Sequence, residues 1–322
     1  MRINNVKASY LAARGITILS NDNAKQSRDI SISNAFVSFS SGTGIHSGNT
    51  TAGVARSYRI HLRNITVEDV YDGYGVEFEN SVQDSSLVGF TIRRSQRYGV
   101  AIAECTENII VSGGRIFDVG DNIGGAPGAN ASSGIITSTG RRHKITNNLI
   151  SGCIRGITIA HDATQVNPAD ALTDSDGVST SGVATNTQRT IFNGNVITGS
   201  TWAYQLNTNA MPSTGGATMA HMIGPNTVVT PSTAFARIDG VNKTQAEVEA
   251  AFPASIDASD TVVTSIGGVY SAQSAVNGMI SPVTGPNTYS TQKALNLILG
   301  NTGTMYSTQA CVNLLLSING TN

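Results

Sequence analysis

Five carboxylates lie close together in one short stretch of the chain. The segment NITVEDVYDGYGVEFEN, residues 64–80, contains Glu68, Asp69, Asp72, Glu77 and Glu79, although only 13% of all residues are charged. Glu77 and Glu79 stand two apart in a segment that alternates like a β-strand, so both side chains should lie on one face, about 6.5 to 7 Å apart. This spacing overlaps the separation of about 6.5 to 9.5 Å between the two carboxyl groups of inverting glycosidases.

The composition of the chain excludes several classes of partner. The formal net charge is −1 over 322 residues, so no basic field is available to attract nucleic acid or an anionic membrane. No segment has the roughly 18 consecutive apolar residues of a membrane span. The three cysteines are far apart and show no metal-ligand spacing. We therefore expect no nucleic acid, no membrane insertion, no metal and no cofactor.

An internal repeat indicates how the carboxylates are positioned. Eight six-residue stretches begin with an apolar residue, carry Asn, Gly or Pro two residues on, and end in Ala or a β-branched residue; they are INNVKA, ISNAFV, LRNITV, LVGFTI, VSGGRI, ITNNLI, FNGNVI and IGPNTV. Most are followed by a second short strand that starts with Gly, as in GVEFE and GVAIA. One copy cannot close a core alone, so copies must stack. The prediction is an all-β fold, a parallel β-helix over residues 1–240 in which each copy forms one coil.

Three asparagines occupy the same place in successive copies. Asn148, Asn195 and Asn226 each follow the turn residue of their repeat. Stacked side-chain amides can donate and accept hydrogen bonds from one coil to the next. We expect an internal amide ladder.

The last quarter of the chain follows a different pattern. YSAQSAVNGMI, YSTQKALNLIL and YSTQACVNLLL recur, with NKTQAEVEAAF at Asn242 as a degenerate relative. Ser or Thr stands at the helix N-cap position and apolar residues recur at helical spacing. We expect residues 241–322 to form a small module of short helices that caps or trimerises the chain.

The stacked coils bring further candidates toward Glu77 and Glu79. With Val76 and Phe78 inward, the two glutamates face outward beside a floor of small residues in later coils. The remaining candidates are Glu104 and His161, which come just past equivalent second strands, and Asp118, which falls at the place of Glu68 and Asp69 two coils on. An alternative interpretation is that the outward glutamates only solubilise an exposed strand, and that Glu68 and Asp69 pair with Arg93 and Arg94 of the next coil.

Aromatic residues supply a possible sugar-binding surface. Tyr74 and Tyr98 both precede the glycine of the second strand, so they should stack in adjacent coils with Arg97 beside them. Trp202 stands near the analogous place in a later coil. Each of these residues either binds a sugar ring or closes an external turn.

These repeats, followed by a separate C-terminal segment, resemble the pectate-lyase-like right-handed parallel β-helix superfamily and, within it, bacteriophage tailspike and tail-fibre depolymerases. The resemblance implies a single-stranded right-handed solenoid and a homotrimer on the virion tail, assembled in the bacterial cytoplasm. It implies binding and cleavage of capsule, O-antigen or exopolysaccharide. The calcium-and-arginine signature of pectate lyases is absent.

Three functions follow from these observations. The first is glycoside hydrolysis by Glu77, Glu79, Glu104 or Asp118. The second is elimination, with Tyr74, Tyr98, Arg97 or His161 as the base. The third is glycan adhesion or fibre structure without catalysis.

Overall fold

The computed structural model describes most of the first 263 residues. The described residues are 1–20, 27–48, 57–80, 82–103, 106–120, 132–138, 140, 142–160, 190–206, 222–229, 231–251 and 261–263. They belong to a compact unit that spans Met1–Thr264. Within this part of the chain, no helix is long and apolar enough to cross a membrane.

The described strands form two long sheets. Sheet 1 contains fourteen strands: β1 (Arg2–Asn4), β2 (Lys7–Leu11), β4 (Arg28–Ser40), β6 (Ser57–Val70), β8 (Val82–Ser95), β10 (Glu107–Ser112), β11 (Arg115–Phe117), β13 (Lys144–Thr146), β14 (Leu149–Ser151), β16 (Ile191–Asn193), β17 (Val196–Thr198), β19 (Met222–Ile223), β20 (Thr227–Val229) and β23 (Thr261–Val263). Sheet 2 contains nine strands: β3 (Ile16–Leu19), β5 (Ile45–Gly48), β7 (Tyr74–Phe78), β9 (Tyr98–Ile102), β12 (Ser133–Ser138), β15 (Arg155–Ala160), β18 (Trp202–Leu206), β21 (Ala234–Ile238) and β22 (Val241–Lys243).

Strands of successive coils pair in parallel, as the repeat predicts. β6 pairs with β8 in sheet 1 while β7 pairs with β9 in sheet 2, so the chain visits both sheets once per coil. The last pair of sheet 2, β21 with β22, is antiparallel. The fold is therefore a parallel β-helix, and the predicted fold class is confirmed.

Left-handed backbone positions bend sheet 1 at regular intervals. In the coil that contains β6, Arg59, Asn64 and Asp69 have φ between 52° and 58°, five residues apart. The same five-residue spacing recurs in neighbouring coils, at Asp29, Asn34 and Phe39, at Asp84, Gly89 and Arg94, at Asn108, Gly113 and Asp118, and at Arg142, Asn147 and Gly152. The middle position is the Asn or Gly of the sequence repeat, because these residues adopt positive φ at least cost.

A glycine opens six of the nine strands of sheet 2, β3, β5, β7, β9, β12 and β15, and it allows close approach between coils. A Cβ atom on Gly75 would lie 2.6 Å from the carbonyl oxygen of Gly99 and 2.5 Å from the Ile92 side chain. Gly99 has the same relation to Gly134 and Ile116. These glycines are therefore required by packing, and they fix where sheet 2 begins.

The asparagine ladder is confirmed. Asn148, Asn195 and Asn226 are at most 2% exposed. The side-chain amide of Asn148 donates to Oδ1 of Asn195 at 3.0 Å, and that of Asn195 donates to Oδ1 of Asn226 at 3.0 Å. The backbone N–H of Asn148 and that of Asn195 donate to the same oxygens at 3.1 and 3.0 Å.

Earlier coils fill the equivalent interior position with apolar side chains. Ala35, Ile65 and Phe90 are in register with one another and at most 3% exposed. Gly114 lies between the two kinds of coil: its missing side chain makes room for the Phe90 ring, and its N–H donates to Oδ1 of Asn148 at 3.0 Å. One interior position thus changes from apolar contact to hydrogen bonding along the solenoid.

The helix α1 (Gln245–Ala251) follows sheet 2 and matches the degenerate C-terminal repeat. Its N-cap residue Thr244 donates its N–H to Oε2 of Glu247 at 2.8 Å, and Oγ1 of Thr244 accepts the N–H of Glu247 at 3.3 Å, which forms a capping box. β23 pairs with β20, so parallel stacking reaches residue 263. The three clearer repeats lie outside the described residues, and the module at 241–322 stays a prediction.

Candidate functional site

A histidine and two glutamates meet on the outer face of sheet 2. β5 and β7 are adjacent, with His46 directly opposite Glu77. Nδ1 of His46 lies 2.9 Å from Oε2 of Glu77, and Nε2 of His46 lies 3.4 Å from Oε1 of Glu79. Thr43 donates its hydroxyl to Oε2 of Glu77 at 3.2 Å. We call His46, Glu77 and Glu79 the histidine–glutamate cluster.

This cluster is more buried than the sequence predicts. Val76 and Phe78 point into the core, as expected, and Glu77 and Glu79 face the other way. Glu77 is nevertheless only 5% exposed and His46 is 0% exposed, whereas the Glu79 side chain retains 18% exposure. The expectation of an exposed strand at Glu77 is wrong, because its carboxylate is held by Thr43 and His46.

Sequence reasoning missed His46, although a signal was present. The second strands GIHSG and GVEFE belong to consecutive copies of the repeat. Aligning their glycines places His46 opposite Glu77, which is the pairing found in the structure. A polar side chain at the same outward position of two neighbouring coils predicts direct contact.

The residues that directly precede the sheet 2 glycines, together with Trp202 before Ala203, form a second outward line along the solenoid, which we call the outer row. The pairing of β5 with β7 and the later pairs of sheet 2 place its members in register: Thr43, Tyr74, Tyr98, Ser133, Arg155 and Trp202. The Tyr74 and Tyr98 rings stack with centroids 5.2 Å apart and an angle of 16° between planes. The predicted stack is confirmed, and Trp202 occupies the equivalent place three coils beyond Tyr98.

Outer-row side chains contact the outward face of the following coil. Thr43 contacts Glu77 in this way, and Ser133 shares a hydrogen bond of 2.7 Å with Thr158. Further along, the guanidinium of Arg237 lies 5.0 Å from the centre of the Trp202 ring. The outer row and the outward residues of sheet 2 therefore form one continuous line of contacts. In the outer row, Tyr74, Tyr98 and Trp202 are half-buried, whereas Thr43, Ser133 and Arg155 are buried.

The far end of this surface is cationic. Arg155 precedes Trp202 in the outer row, and Arg237 stacks on the Trp202 ring. Burial lowers the pKa of the Arg155 guanidinium from its ordinary value, and the charge of Arg237 lowers it further. The indole N–H of Trp202 donates to Oδ1 of Asn242 at 2.8 Å, which fixes the ring. We call Arg155, Trp202 and Arg237 the cationic end.

The environment of the two tyrosines keeps them protonated. Burial raises the pKa of Tyr74, and the charge of Glu77 raises it further. Burial also raises the pKa of Tyr98. Arg97 donates to Asp72 at 3.0 Å and lies at the exposed edge of the stack. Both phenols are suited to hydrogen bonding and ring stacking rather than to proton abstraction.

Asp118 lies apart from the cluster, in a ladder of bend residues. It occupies the same left-handed bend position as Asp69 and Arg94. Arg94 binds Asp69 through two hydrogen bonds of 2.5 and 2.9 Å and approaches Glu68 at 4.0 Å. The charge pairing expected between these coils is confirmed. The hydrogen bond to Asp69 raises the pKa of the Arg94 guanidinium, although burial acts in the opposite direction.

The last candidates are Glu104, His161 and the small residues expected to form a floor beside Glu77. Glu104 and His161 lie outside the described residues. Of the small residues expected to form a floor beside Glu77, Ala101 and Thr158 are 3% exposed, and Ile136 is half-buried. The floor is therefore largely closed next to Glu77.

A separate cleft of about 320 Å³ lies at the first bend of sheet 1. Its polar side chains are paired with one another: Asn108 donates to Asp84 at 2.8 Å, and Arg142 donates to Glu107 at 3.1 Å. These pairs continue the bend ladder. The cleft is a second outward site, on sheet 1 and separate from the outer row.

The fold and this outward surface define a parallel β-helix protein. The A-module of an Azotobacter vinelandii mannuronan C-5 epimerase is similar at 16% identity and a TM-score of 0.45, covering 81% of this chain and 59% of that one. The N-terminal fragment of bacteriophage Phi29 gene product 12 is similar at 17% identity and a TM-score of 0.43, covering 76% and 44%. A mutant tailspike protein of E. coli bacteriophage HK620 in complex with a pentasaccharide is similar at 9% identity and a TM-score of 0.30, covering 80% and 60%.

This chain thus spans about half to three fifths of the length of these similar structures. No protein-family model matches the sequence, and no curated protein matches it significantly.

Proposed function

We propose that this protein binds a bacterial surface polysaccharide along the outer row and depolymerises it by glycoside hydrolysis. The observation that carries the proposal is the outer row itself, which places a tyrosine pair, an arginine and a tryptophan in line across consecutive coils beside two carboxylates. The proposal includes capsule, O-antigen or exopolysaccharide as the substrate, and a homotrimer on a virion tail as the assembly.

The length of the outer row suits a chain-like ligand. Five coil-to-coil steps separate Thr43 from Trp202, and at about 4.8 Å for each step they extend over about 24 Å. Tyr74 and Tyr98 offer ring surface near one end, and Trp202 offers ring surface near the other. An extended polysaccharide can contact both ends at once, which a compact ligand cannot.

The cationic end favours a polysaccharide with acidic groups. Arg237 stacks on the Trp202 ring, and its charge adds to the effect of burial in lowering the pKa of the Arg155 guanidinium. A carboxylate of the glycan would relieve the repulsion between these guanidinium groups, and arginine binds carboxylates through two parallel hydrogen bonds. Uronate-containing polysaccharides therefore fit this surface better than neutral ones.

Hydrolysis fits the chemistry of the row better than elimination from a tyrosine. The raised pKa values of Tyr74 and Tyr98 keep both phenols protonated, so neither is a ready base. Glu79 is the member of the cluster that solvent reaches, and Glu77 is held in place beside it. We therefore assign Glu79 as the carboxylate that touches the glycan and Glu77 as its partner.

One observation favours adhesion without cleavage. Glu77 is 5% exposed and its Oε2 accepts from both Thr43 and His46. A carboxylate that is so enclosed reaches substrate only if the strand face opens. Binding along the outer row would be unaffected by this enclosure.

The test is to incubate the purified full chain with a panel of acidic and neutral capsules and exopolysaccharides. New reducing ends without unsaturated uronate are expected from an acidic member of the panel. Unsaturated products would replace hydrolysis by elimination, and binding without products would leave adhesion. Light scattering should give about 100 kDa, three times the chain mass of 33.4 kDa, and a monomer at micromolar concentration would contradict the trimer.

A further inference from the structure

The imidazole of His46 leaves one nitrogen unused in a fully buried position. Nδ1 is hydrogen-bonded to Glu77 at 2.9 Å, and the carboxylate can only accept, so Nδ1 carries the proton. Nε2 has less than 1 Å² of accessible surface and no hydrogen-bond partner within the described part of the chain. A neutral imidazole in this tautomer points a lone pair from Nε2 toward Glu79. A buried, unsatisfied nitrogen is costly unless something binds it.

The distance between Nε2 and Glu79 matches two ligands of one metal ion. Nε2 lies 3.4 Å from Oε1 of Glu79, which is too long for a good hydrogen bond. Two ligand atoms that bind one tetrahedral Zn²⁺ at about 2.0 to 2.1 Å lie about 3.4 Å apart. Ligand atoms of His46, Glu77 and Glu79 all lie within 4.8 Å of one another. The spacing fits a shared cation better than a direct contact.

We propose that Nε2 of His46 and the carboxylate of Glu79 bind a divalent transition-metal ion of the zinc type, and that Glu77 orients His46 from behind. A histidine that binds a metal generally donates its other N–H to a carboxylate, which fixes the ring and the tautomer. Glu77 accepts this hydrogen bond, and Thr43 donates to the same Oε2 atom at 3.2 Å. The positioning carboxylate is thus itself held.

The charge of the cluster also favours a cation. With a neutral imidazole, Glu77 and Glu79 place two negative charges close together, and Glu77 is almost excluded from water. Two carboxylates at low solvent exposure favour a nearby positive charge. A divalent ion balances both charges.

The mixed ligand set selects the kind of metal. Imidazole nitrogen with carboxylate oxygen suits Zn²⁺ and related transition metals, whereas Ca²⁺ requires six to eight oxygen ligands. The exposed fraction of Glu79, 18%, gives the ion a path into the site. Remaining coordination positions on that side would be open to water or to an oxygen of a bound glycan.

The metal site does not depend on the proposed glycan function, since its ligands come from this chain alone. The experiment therefore uses the full chain without glycan. Zn²⁺ binding is measured by calorimetry on metal-stripped protein, and Co²⁺ is used as a spectroscopic probe for tetrahedral nitrogen and oxygen ligation. Ca²⁺ is added as a competitor.

We expect one equivalent of Zn²⁺ per chain, a Co²⁺ visible spectrum that Zn²⁺ abolishes, and no competition by Ca²⁺. Glu79→Gln and His46→Gln should each weaken binding at least 100-fold. Glu77→Gln should weaken it about 10- to 100-fold, as loss of a partner behind a ligand does. The matched control is His61→Gln, which removes an imidazole that bonds Ser86 in sheet 1 and should leave binding unchanged.

Two results would overturn the proposal. One is the absence of stoichiometric Zn²⁺ binding by the full chain. The other is equal binding by the wild type and Glu79→Gln, which would show an adventitious ion only. Because Glu79 is partly exposed, its amide variant should fold, and circular dichroism checks this if the His46 variant does not fold. Hydrolysis that persists in the presence of a chelator would separate the metal site from the glycan function.

Discussion

The two ends of the outward surface present opposite chemistry, and Glu77 at one end stands in the same register column as Arg237 at the other. At one end, the histidine–glutamate cluster places one carboxylate on β7, that of Glu77, and a second directly after it, that of Glu79. At the other, the cationic end has Arg155 on β15 and Arg237 on β21, with Trp202 on the strand between them, β18. The inward positions of the same strands are alike, since Val76, Ile157 and Tyr204 are each at most 1% exposed. Coil stacking constrains the inward residues, and the outward ones are free to differ.

This difference separates two tasks along one surface. Carboxylates can act as acid and base, whereas arginine and tryptophan can hold a charged sugar without reacting with it. A substrate that extends along the outer row would be anchored at the cationic end and positioned at the cluster. The following predictions alter one end at a time, in order of decreasing effect.

The largest effect is expected from Glu79→Gln. The substitution keeps the shape of the side chain and removes the carboxylate charge, which serves the glycan either directly or through the proposed ion, so cleavage should fall about 10²- to 10⁴-fold. Affinity for the glycan should change little, because the cationic end is intact. Reducing-end release and glycan titration measure the two quantities separately. Glu249→Gln on α1 is the matched control, and equal activity of both variants would remove Glu79 from the mechanism.

The second effect concerns the coils beneath the cationic end, where the amide ladder fills the interior. Asn195→Leu removes an oxygen that accepts two N–H groups of Asn148, and leaves both donors buried without a partner. We expect the free energy of unfolding to fall by about 3 kcal/mol, since each orphaned donor costs about 1 to 3 kcal/mol. Chemical denaturation measures it.

Phe90→Leu is the comparison for Asn195→Leu. It alters the equivalent interior position in an apolar coil and changes only packing, so the loss should be about 1 to 2 kcal/mol. Similar losses for both substitutions would show that the ladder contributes no more than apolar contact does.

A third effect is expected at Trp202. Trp202→Ala removes the ring that carries Arg237 and that would contact a sugar, so affinity for an acidic glycan should fall about 10-fold. Trp202→Phe retains a ring and should lose less. Unchanged cleavage of saturating glycan would confirm that the two ends have separate tasks, whereas unchanged affinity would remove the cationic end from the binding surface.

A smaller effect is expected from the tyrosine pair. Because burial raises the pKa of Tyr98, its phenol stays protonated through neutral pH and ionises only at a pH above its ordinary range. Tyr98→Phe should therefore leave the rate of cleavage within a factor of about three, which is well short of the loss of a general base. The ultraviolet difference between the wild type and this variant during an alkaline titration follows the ionisation. A large loss of cleavage would instead favour elimination.

The smallest effect is expected at Cys153, which should not react with alkylating reagents in the folded protein. This thiol is 2% exposed, and burial raises its pKa to about 12. At pH 8 only about one thiol in 10⁴ is ionised, so alkylation of the folded protein should leave Cys153 unmodified. Peptide mass spectrometry before and after denaturation measures this. Rapid modification of Cys153 in the folded protein would show that its coil opens.

The repeat predicted the coils because their residues satisfy local rules. The Asn or Gly of each copy adopts the left-handed bend, as at Asn64 and Gly89, and the glycine of the second strand allows coils to approach. The amide ladder was predictable for the same reason, since identical residues at identical positions must stack. These features depend on one coil and its neighbour only.

The cluster was predicted in part. The outward direction of Glu77 follows from strand alternation, but its burial depends on what surrounds the strand and is not encoded in the strand itself. His46 and Arg237 were missed because they belong to other coils, and their contacts appear only when the copies are aligned in register. Sequence reasoning succeeded where contacts repeat and failed where one coil meets a different neighbour.

The most direct measurement of the central claim is a crystal structure with an acidic oligosaccharide bound to Glu79→Gln, the variant that should bind without cleaving. The account predicts sugar units along the outer row, with an acidic group at Arg155 and Arg237, a ring against Trp202 or the tyrosine pair, and a glycosidic oxygen beside residue 79. An oligosaccharide bound instead in the sheet 1 cleft beside Asp84 and Arg142 would contradict it.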